Sequence, residues 1–375
     1  MALSKINNDS FADSAVHGRR NLIINGSMQV AQRGATATTS AGFQNVDRFQ
    51  SNSSQATITR SQQTLSSGDP YDDGFRKFYR LQVTSASSNT NSYAEIHQPM
   101  EGQNIVHSGW DYTSTSSKIT LSFWARSSLA GTYYIMYRIV GSSERRRNGA
   151  FTLAADTWTK VTFTTAGNSG LTINNDNTRE FDVFIVPHYG TSFTGGEEVS
   201  TTDWYDRNSQ GDAYLPNFAQ NWANTANATF DVTGVQLEVG DKATPFEHRS
   251  FAEELALCQR YHYRRDITIY DVAAMGGVQS TNRGAYLLHI PVAMRAKPSC
   301  SQGSNIYCWY SAVGQVTAQS NLTVVYMDNL ATDFNQVYIM ADASSTLNSV
   351  GHPLALTSYH SSGTADTHVS LDAEL

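Results

Sequence analysis

Hydrophobic positions along most of this chain recur at every second residue, in short runs broken by Gly, Asn, Ser and Thr. That period places alternate side chains on opposite faces of a strand. In Lys118–Arg126, Ile119, Leu121, Phe123 and Ala125 share one face, and Thr120, Ser122 and Trp124 the other. The same pattern predicts strands at Asn21–Val30, Phe78–Thr84, Ser92–Gln98, Thr132–Val140, Thr157–Thr165, Phe181–Val186 and Ala228–Val239. It resumes at Ile267–Val272, Ala285–Val292, Ile306–Ser311, Leu322–Met327, Val337–Ala341 and His368–Leu371. Many short strands between turn-rich segments imply an all-β protein, a jelly-roll β-sandwich followed by a smaller C-terminal β-domain.

One helix interrupts the strands. Ser250 and Glu253 form a capping box, with Pro245 upstream. Phe251, Leu255, Cys258 and Tyr261 then fall on one face, and Arg260, Arg264 and Arg265 suit the C-terminal end of the dipole. The helix is expected at about 251–264. The chain divides accordingly into a polar N-terminal arm at 1–20, a sandwich at 21–248, a helical linker at 249–265 and a C-terminal β-domain at 266–375. The arm is too polar to fold alone and suits docking onto a partner. A helix between two domains has little core of its own to cover. The stripe Phe251, Leu255, Cys258, Tyr261 is therefore the candidate seam of a homotrimer.

Composition narrows the function classes. Charged residues make up 16% of the 375, against ~25% in typical soluble domains. Hydroxyls and amides fill the polar share, as suits an extracellular structural β-protein. The net charge of −7 argues against nucleic acid. No run approaches the ~18 apolar residues of a membrane span. The N-terminus has no apolar signal-peptide core, so synthesis in a cytoplasm without a leader is expected. The three cysteines, Cys258, Cys300 and Cys308, show neither a disulfide framework nor zinc spacing.

Several segments carry a resemblance. Asn21-Leu-Ile-Ile-Asn-Gly-Ser-Met28, Gln32-Arg33-Gly34 and Asp47-Arg48-Phe49 resemble the opening of tailed-bacteriophage tail-fibre and tail-associated proteins. Thr233–Gly240, Ala243–Glu247, the helix at Ser250–Tyr261, Pro291–Pro298 and Asp372–Leu375 look like the same family. The segment 21–248 is similar to carbohydrate-binding jelly rolls. The resemblance implies a trimeric virion protein of the tail, bound to other tail proteins and active in host-glycan recognition. Many carbohydrate-binding jelly rolls hold a structural calcium, for which Asp231 and Glu238 are the candidates here.

Pro187–Asn227 is irregular for about 40 residues and dense in aromatics, and loops of such length are usually functional. Tyr189, Asp203, Trp204, Tyr205, Asp206, Tyr214 and Trp222 form the candidate glycan site, with Asn221 beside them. Rings stack on sugar CH faces, and carboxylates and amides take the hydroxyls. The same rings could instead anchor the loop to the sandwich or to a neighbouring subunit. Trp124 and Trp158 read as sheet residues, while Trp110 stays open between the two roles. Arg145-Arg146-Arg147, before an Asn148-Gly149 turn signal, reads as a hairpin tip or as a contact for anionic surface polymer. Asn174–Asn177 reads as an Asx-rich turn or as part of a calcium loop. The adjacent pairs Asp72/Asp73, Glu197/Glu198 and Glu253/Glu254 do not supply carboxylates across a scissile bond. HExxH, GxSxG and phosphate-loop motifs are absent from the sequence. The expectation is a non-enzymatic binder with no cofactor. A purely structural or adaptor virion protein and a polysaccharide-degrading tail enzyme are the alternatives.

Overall fold

The computed structural model describes residues 19–195, 202–209, 214–268, 271–303, 306–310, 315–326, 336–343, 347, 353–358 and 367–375. By contacts the chain divides into a first unit ending at Glu254 and a second over 255–374. The arm expected at 1–20 lies outside the described residues except for Arg19 and Arg20.

The first unit contains β1 (Gly42–Phe43), β2 (Gln50–Ser54), β3 (Thr57–Thr64), β4 (Lys77–Ser85), β5 (Tyr93–Glu101), β6 (Lys118–Ser127), β7 (Gly131–Ile139), β8 (Arg145–Leu153), β9 (Thr159–Ala166), β10 (Arg179–Tyr189), β11 (Tyr205–Asp206) and β12 (Thr229–Val239). They form a seven-stranded sheet in the order β1-β2-β5-β10-β7-β8-β11 and a five-stranded sheet in the order β3-β4-β12-β6-β9. All strand pairs are antiparallel. This is the expected jelly-roll sandwich. Ile119, Leu121, Phe123 and Ala125 join Ala94, Ile96, Tyr133, Ile135, Phe181 and Val183 in the core between the sheets. Burying a large aliphatic side chain there stabilises by roughly 1.5–3 kcal/mol.

Two expectations fail locally. Asn21–Val30 is not a strand but a chain of turns, with Asn25 and Met28 at φ 60° and 59°. Gly26 lies so close to β12 that an added Cβ would sit 2.0 Å from the Val235 oxygen. Arg145–Arg147 is not a hairpin tip but the start of β8. Gly149 stands in mid-strand because the Phe163 ring occupies its Cβ position, 2.5 Å away.

The segments of the first unit that carry the sequence resemblance meet in space. The Asn21 side chain accepts from Leu237 N at 3.0 Å and donates to the Val235 oxygen at 3.2 Å. Glu247 accepts the backbone N–H of Arg19, Arg20 and Asn21 at 2.9, 2.7 and 2.7 Å. Asn25 bonds Val30 and Asp47. The segments around 19–30, 47 and 235–247 thus build one structural joint, in which buried polar groups are satisfied in pairs.

Helix α1 (Asp69–Asp72) and helix α2 (Gly102–Val106) are short, and α3 (Phe251–Gln259) ends five residues before the expected 264. The capping box is formed: Ser250 N donates to Glu253 Oε2 at 2.9 Å, and Glu253 N to Ser250 Oγ at 3.3 Å. The stripe expected to be an inter-subunit seam is split. Cys258 and Tyr261 are fully buried within the chain, Leu255 is half-buried and Phe251 is exposed, as is Leu257 outside the stripe. A seam therefore cannot use Cys258 or Tyr261.

The second unit contains β13 (His262–Ile267), β14 (Val272–Ser280), β15 (Arg283–His289), β16 (Ser299–Gln302), β17 (Ile306–Tyr310), β18 (Gln315–Tyr326), β19 (Gln336–Ala343), β20 (Pro353–Ser358) and β21 (Thr367–Asp372). Six of them close a barrel, β14-β15-β19-β18-β17-β20, and β13-β21-β16 form a separate sheet. Tyr286, Leu288, Ile339, Leu354 and Leu356 lie in its core. Of the strand expected at Ile267–Val272, Ile267 ends β13, Val272 begins β14, and residues 269–270 lie outside the described residues. No helix among the described residues is long and apolar enough to cross a membrane.

Candidate functional site

Period 2 gives the seven-stranded sheet two faces. Ala94, Ile96, Phe181, Val183, Ile135 and Tyr137 point into the core. Of their neighbours in sequence, Tyr93, Glu95, His97, Phe184, Met136 and Arg138 line an open cleft of about 300 Å3 on the other face. Cross-strand register arranges its floor in rungs. One rung runs Asp182 on β10, Arg138 on β7, Arg146 on β8. The next runs Gln50 on β2, His97 on β5, Phe184 on β10, Met136 on β7, Asn148 on β8. Asn52 faces Glu95 on a third. Tyr93, Tyr189, Phe193 and Tyr214 make the wall. Phe193 and Tyr214 stack almost parallel, with centroids 5.9 Å apart and planes 9° apart.

The floor is tightly bonded. Asp182 is fully buried and accepts from Arg138 Nε and Arg179 Nε, each at 2.7 Å. Glu95 accepts from the Tyr189 hydroxyl and, at 3.3 Å, from Asn52 Nδ2. Burial pushes its carboxyl above the ordinary value, against the lowering effect of those hydrogen bonds. His97 stacks on Phe184 at 4.4 Å, with Nε2 at 2.8 Å from Gln50 Oε1. Burial, then the charges of Arg179 and Arg138, hold its imidazole well below the usual histidine range. It is neutral at pH 7, so its 3.5 Å approach to Glu95 is not an ion pair.

A second hollow of about 270 Å3 adjoins the first and shares Tyr189. Ser87, Asn89, Thr194, Asn217, Gln220, Asn221 and His188 line it, and no Lys, Arg, Asp or Glu is among the described residues that do. Burial lowers the His188 pKa to about 4.

Of the residues expected to bind glycan, Tyr189 and Tyr214 line the cleft and the others do not. Trp204 is buried in the sandwich core, donates from Nε1 to the Ala166 oxygen at 2.8 Å and stacks on Tyr137. Trp222 is fully buried, with Nε1 bonded to the Thr229 oxygen at 3.1 Å. Tyr205 is buried, and its hydroxyl donates to the Tyr214 oxygen at 2.9 Å. These three rings offer no face to a sugar. They anchor the loop, because a ring that size gains more from the core than from water. Asp203 caps its own turn at Trp204 N, and Asp206 accepts from Ser143 Oγ and Asn208 N. Trp110 is also a core residue.

The calcium candidates are otherwise occupied. Both Asp231 oxygens are taken by Arg80 and Arg126. Glu238 accepts from Thr244 N, Thr244 Oγ1 and Gln236 Nε2. Asp176 accepts from Thr178 N and Oγ1, the bonding of an Asx turn. Among the described residues no group of three or more His, Cys, Asp or Glu is placed to hold a metal ion.

Gln50, Asn52, Tyr93, Glu95, His97, Met136, Arg138, Arg179, Phe184 and Phe193 line the cleft without having been expected there from the sequence. A signal was present for some of them: Tyr93, Glu95 and His97 alternate with Ala94 and Ile96.

No family model and no curated protein matches this chain. Among solved structures it is similar to an arabinose-bound GH51 α-L-arabinofuranosidase (TM-score 0.32, 11% identity), over 64% of this chain and 30% of that one. The chain thus spans under a third of that enzyme. It is similar to a putative sugar-binding protein from Bacteroides thetaiotaomicron VPI-5482 (TM-score 0.30, 11% identity), over 59% of this chain and 100% of that one. A family 11 carbohydrate-binding module from a Clostridium thermocellum cellulase gives TM-score 0.27 at 11% identity, over 58% of this chain and 99% of that one. None of these three is described as a virion protein. With TM-scores at or below 0.32 the likeness is loose, and the jelly roll stands on its own strand order and register.

Proposed function

We propose that this chain binds a host-surface glycan in the cleft on the outer face of the seven-stranded sheet, as a recognition part of a phage tail. The observation that carries the binding reading is the pairing of a polar, cross-strand floor with a wall of near-parallel rings. Sugars need both: CH faces for aromatic rings and hydroxyls for amides and charged groups. A cleft of about 300 Å3 is at the lower end of small-ligand sites. A virion role is supported by the resemblance carried by segments 21–49 and 233–247, which the fold uses as its joint.

Binding without hydrolysis suits the bonding of the two floor carboxylates. Asp182 is held by two guanidinium groups and Glu95 by Tyr189 and Asn52. A glycosidase needs two carboxyl groups facing the scissile bond from its two sides. A homotrimer belongs to the same proposal, with exposed Phe251 and Leu257 as the apolar positions for a seam. Residues 1–20 would dock to the tail from a base that Glu247 fixes at Arg19 and Arg20.

A glycan array probed with the intact protein and with Phe193→Ala tests the binding reading. Binding by the first and its loss in the second, with an unchanged circular dichroism spectrum, is expected. Equal binding by both moves the site elsewhere, and reducing sugar released from host envelope would replace a binder by an enzyme.

A further inference from the structure

Three guanidinium groups from three adjacent strands converge on this one cleft. Arg179 on β10, Arg138 on β7 and Arg146 on β8 all line it. Asp182 takes only the Nε of Arg138 and of Arg179. Among the described residues, neither Nη of Arg138 and not Nη1 of Arg179 has a hydrogen-bond partner. Arg146 gives Nε and Nη2 to Glu144, and its Nη1 is buried without a partner. Arg146 is itself 6% exposed, so this donor has been taken from water. A buried guanidinium donor with no partner costs free energy that a ligand acceptor recovers.

Among the described residues three guanidinium groups line the cleft beside one carboxyl, Glu95. Asp182 and Glu144 offset two of the three cations, and Glu95 is the remaining carboxyl. Glu95 already receives the Tyr189 hydroxyl and the Asn52 amide, and its burial disfavours the ionised form. The neighbouring hollow, by contrast, has no Lys, Arg, Asp or Glu among the described residues that line it. Charge is therefore concentrated where the stacked rings are.

From this geometry we infer that the sugar seated in the cleft is acidic, its carboxylate held by the Nη groups of Arg138, Arg146 and Arg179 while its ring packs on Phe193 and Tyr214. The inference rests on the glycan-binding reading above and adds the ligand's charge. Planar guanidinium groups match a carboxylate in paired hydrogen bonds, which a neutral hydroxyl cannot reproduce. Uncharged oligosaccharides are left to the adjoining hollow.

The test uses the full chain and calorimetric titration against uronate- and sialate-bearing oligosaccharides, each beside its carboxyl-reduced counterpart. Acidic members should bind, and reduction of the carboxylate should weaken them by about tenfold or more. Added salt should weaken the acidic ligands more than the reduced ones. Arg179→Gln, which removes one of the two guanidinium partners of Asp182, should lower the melting temperature somewhat and abolish that preference while the protein stays folded by circular dichroism. Equal affinity for acidic and reduced partners, or an unchanged preference in Arg179→Gln, overturns the inference and leaves glycan binding standing. Failure of every glycan, charged or neutral, to bind sinks the binding reading as well.

Discussion

Arg146 lies over the ring of Tyr214, its guanidinium carbon 4.2 Å from the ring centroid. The contact ties the first strand residues after Glu144 to the aromatic loop beyond Tyr189. It holds one wall of the cleft against its floor. Arg207 reaches the same ring, with Nη2 at 3.0 Å from the hydroxyl. A desolvated cation–π pair of this kind contributes about 2 kcal/mol. Tyr214→Ala should weaken glycan binding at least about tenfold and lower the unfolding free energy by no more than about 2 kcal/mol. Titration and urea denaturation of the same sample check both numbers.

Trp204 and Trp222 behave differently. Both are core residues, so alanine at either position should cost about 3–5 kcal/mol of stability. A loss of binding in these variants should accompany general unfolding. Chemical denaturation followed by near-ultraviolet circular dichroism measures it. A Trp204→Ala protein of unchanged stability would place that ring outside the core.

Asp182→Ala leaves two guanidinium groups facing each other over a vacated carboxylate site. Breaking a buried pair by removing one partner costs about 3–5 kcal/mol. The pairs here keep partly exposed arginines, so the lower end is expected. The cleft floor should loosen with it. Faster amide exchange along β7 and β10 than elsewhere in the sandwich, read by mass spectrometry, is the expected result.

His188 provides a pH signature. Burial lowers its folded pKa to about 4, below the unfolded value of about 6.5. Between those values the unfolded chain binds more protons, so stability falls as pH drops through that window and is complete above it. The shift contributes up to about 3 kcal/mol. His188→Gln should flatten the acid side of the stability curve between pH 7 and 4. Glu95 works in the opposite sense: its raised pKa favours the folded state at low pH, and that advantage fades as pH rises through its folded value. Denaturation midpoints at several pH values separate the two.

Much of the fold was legible because strong apolar contrast at period 2 marks the strands that face the core. Lys118–Arg126 and Thr132–Val140 each lie within a residue or so of the observed β6 and β7. Gln50–Ser54 was missed since Gln-Ser-Asn-Ser-Ser carries no apolar face. Arg145–Leu153 was missed because Arg-Arg-Arg-Asn-Gly has the composition of a turn, and only the Phe163 ring explains its glycine. The site was legible in part. The aromatic density of the loop marked the region, but density does not give direction, and Trp204, Tyr205 and Trp222 turned inward. The floor residues come from β2, β5, β7, β8 and β10, which are neighbours by strand order. No local periodicity carries that order.

The most direct test of the account is a crystal structure of the protein with the strongest ligand from the glycan array. A sugar ring packed on Phe193 and Tyr214, with polar groups bonded to the rungs at Arg138 and Asn52, is the expected result. A ligand seated on the C-terminal barrel, or only in the uncharged hollow around Asn217, would contradict it.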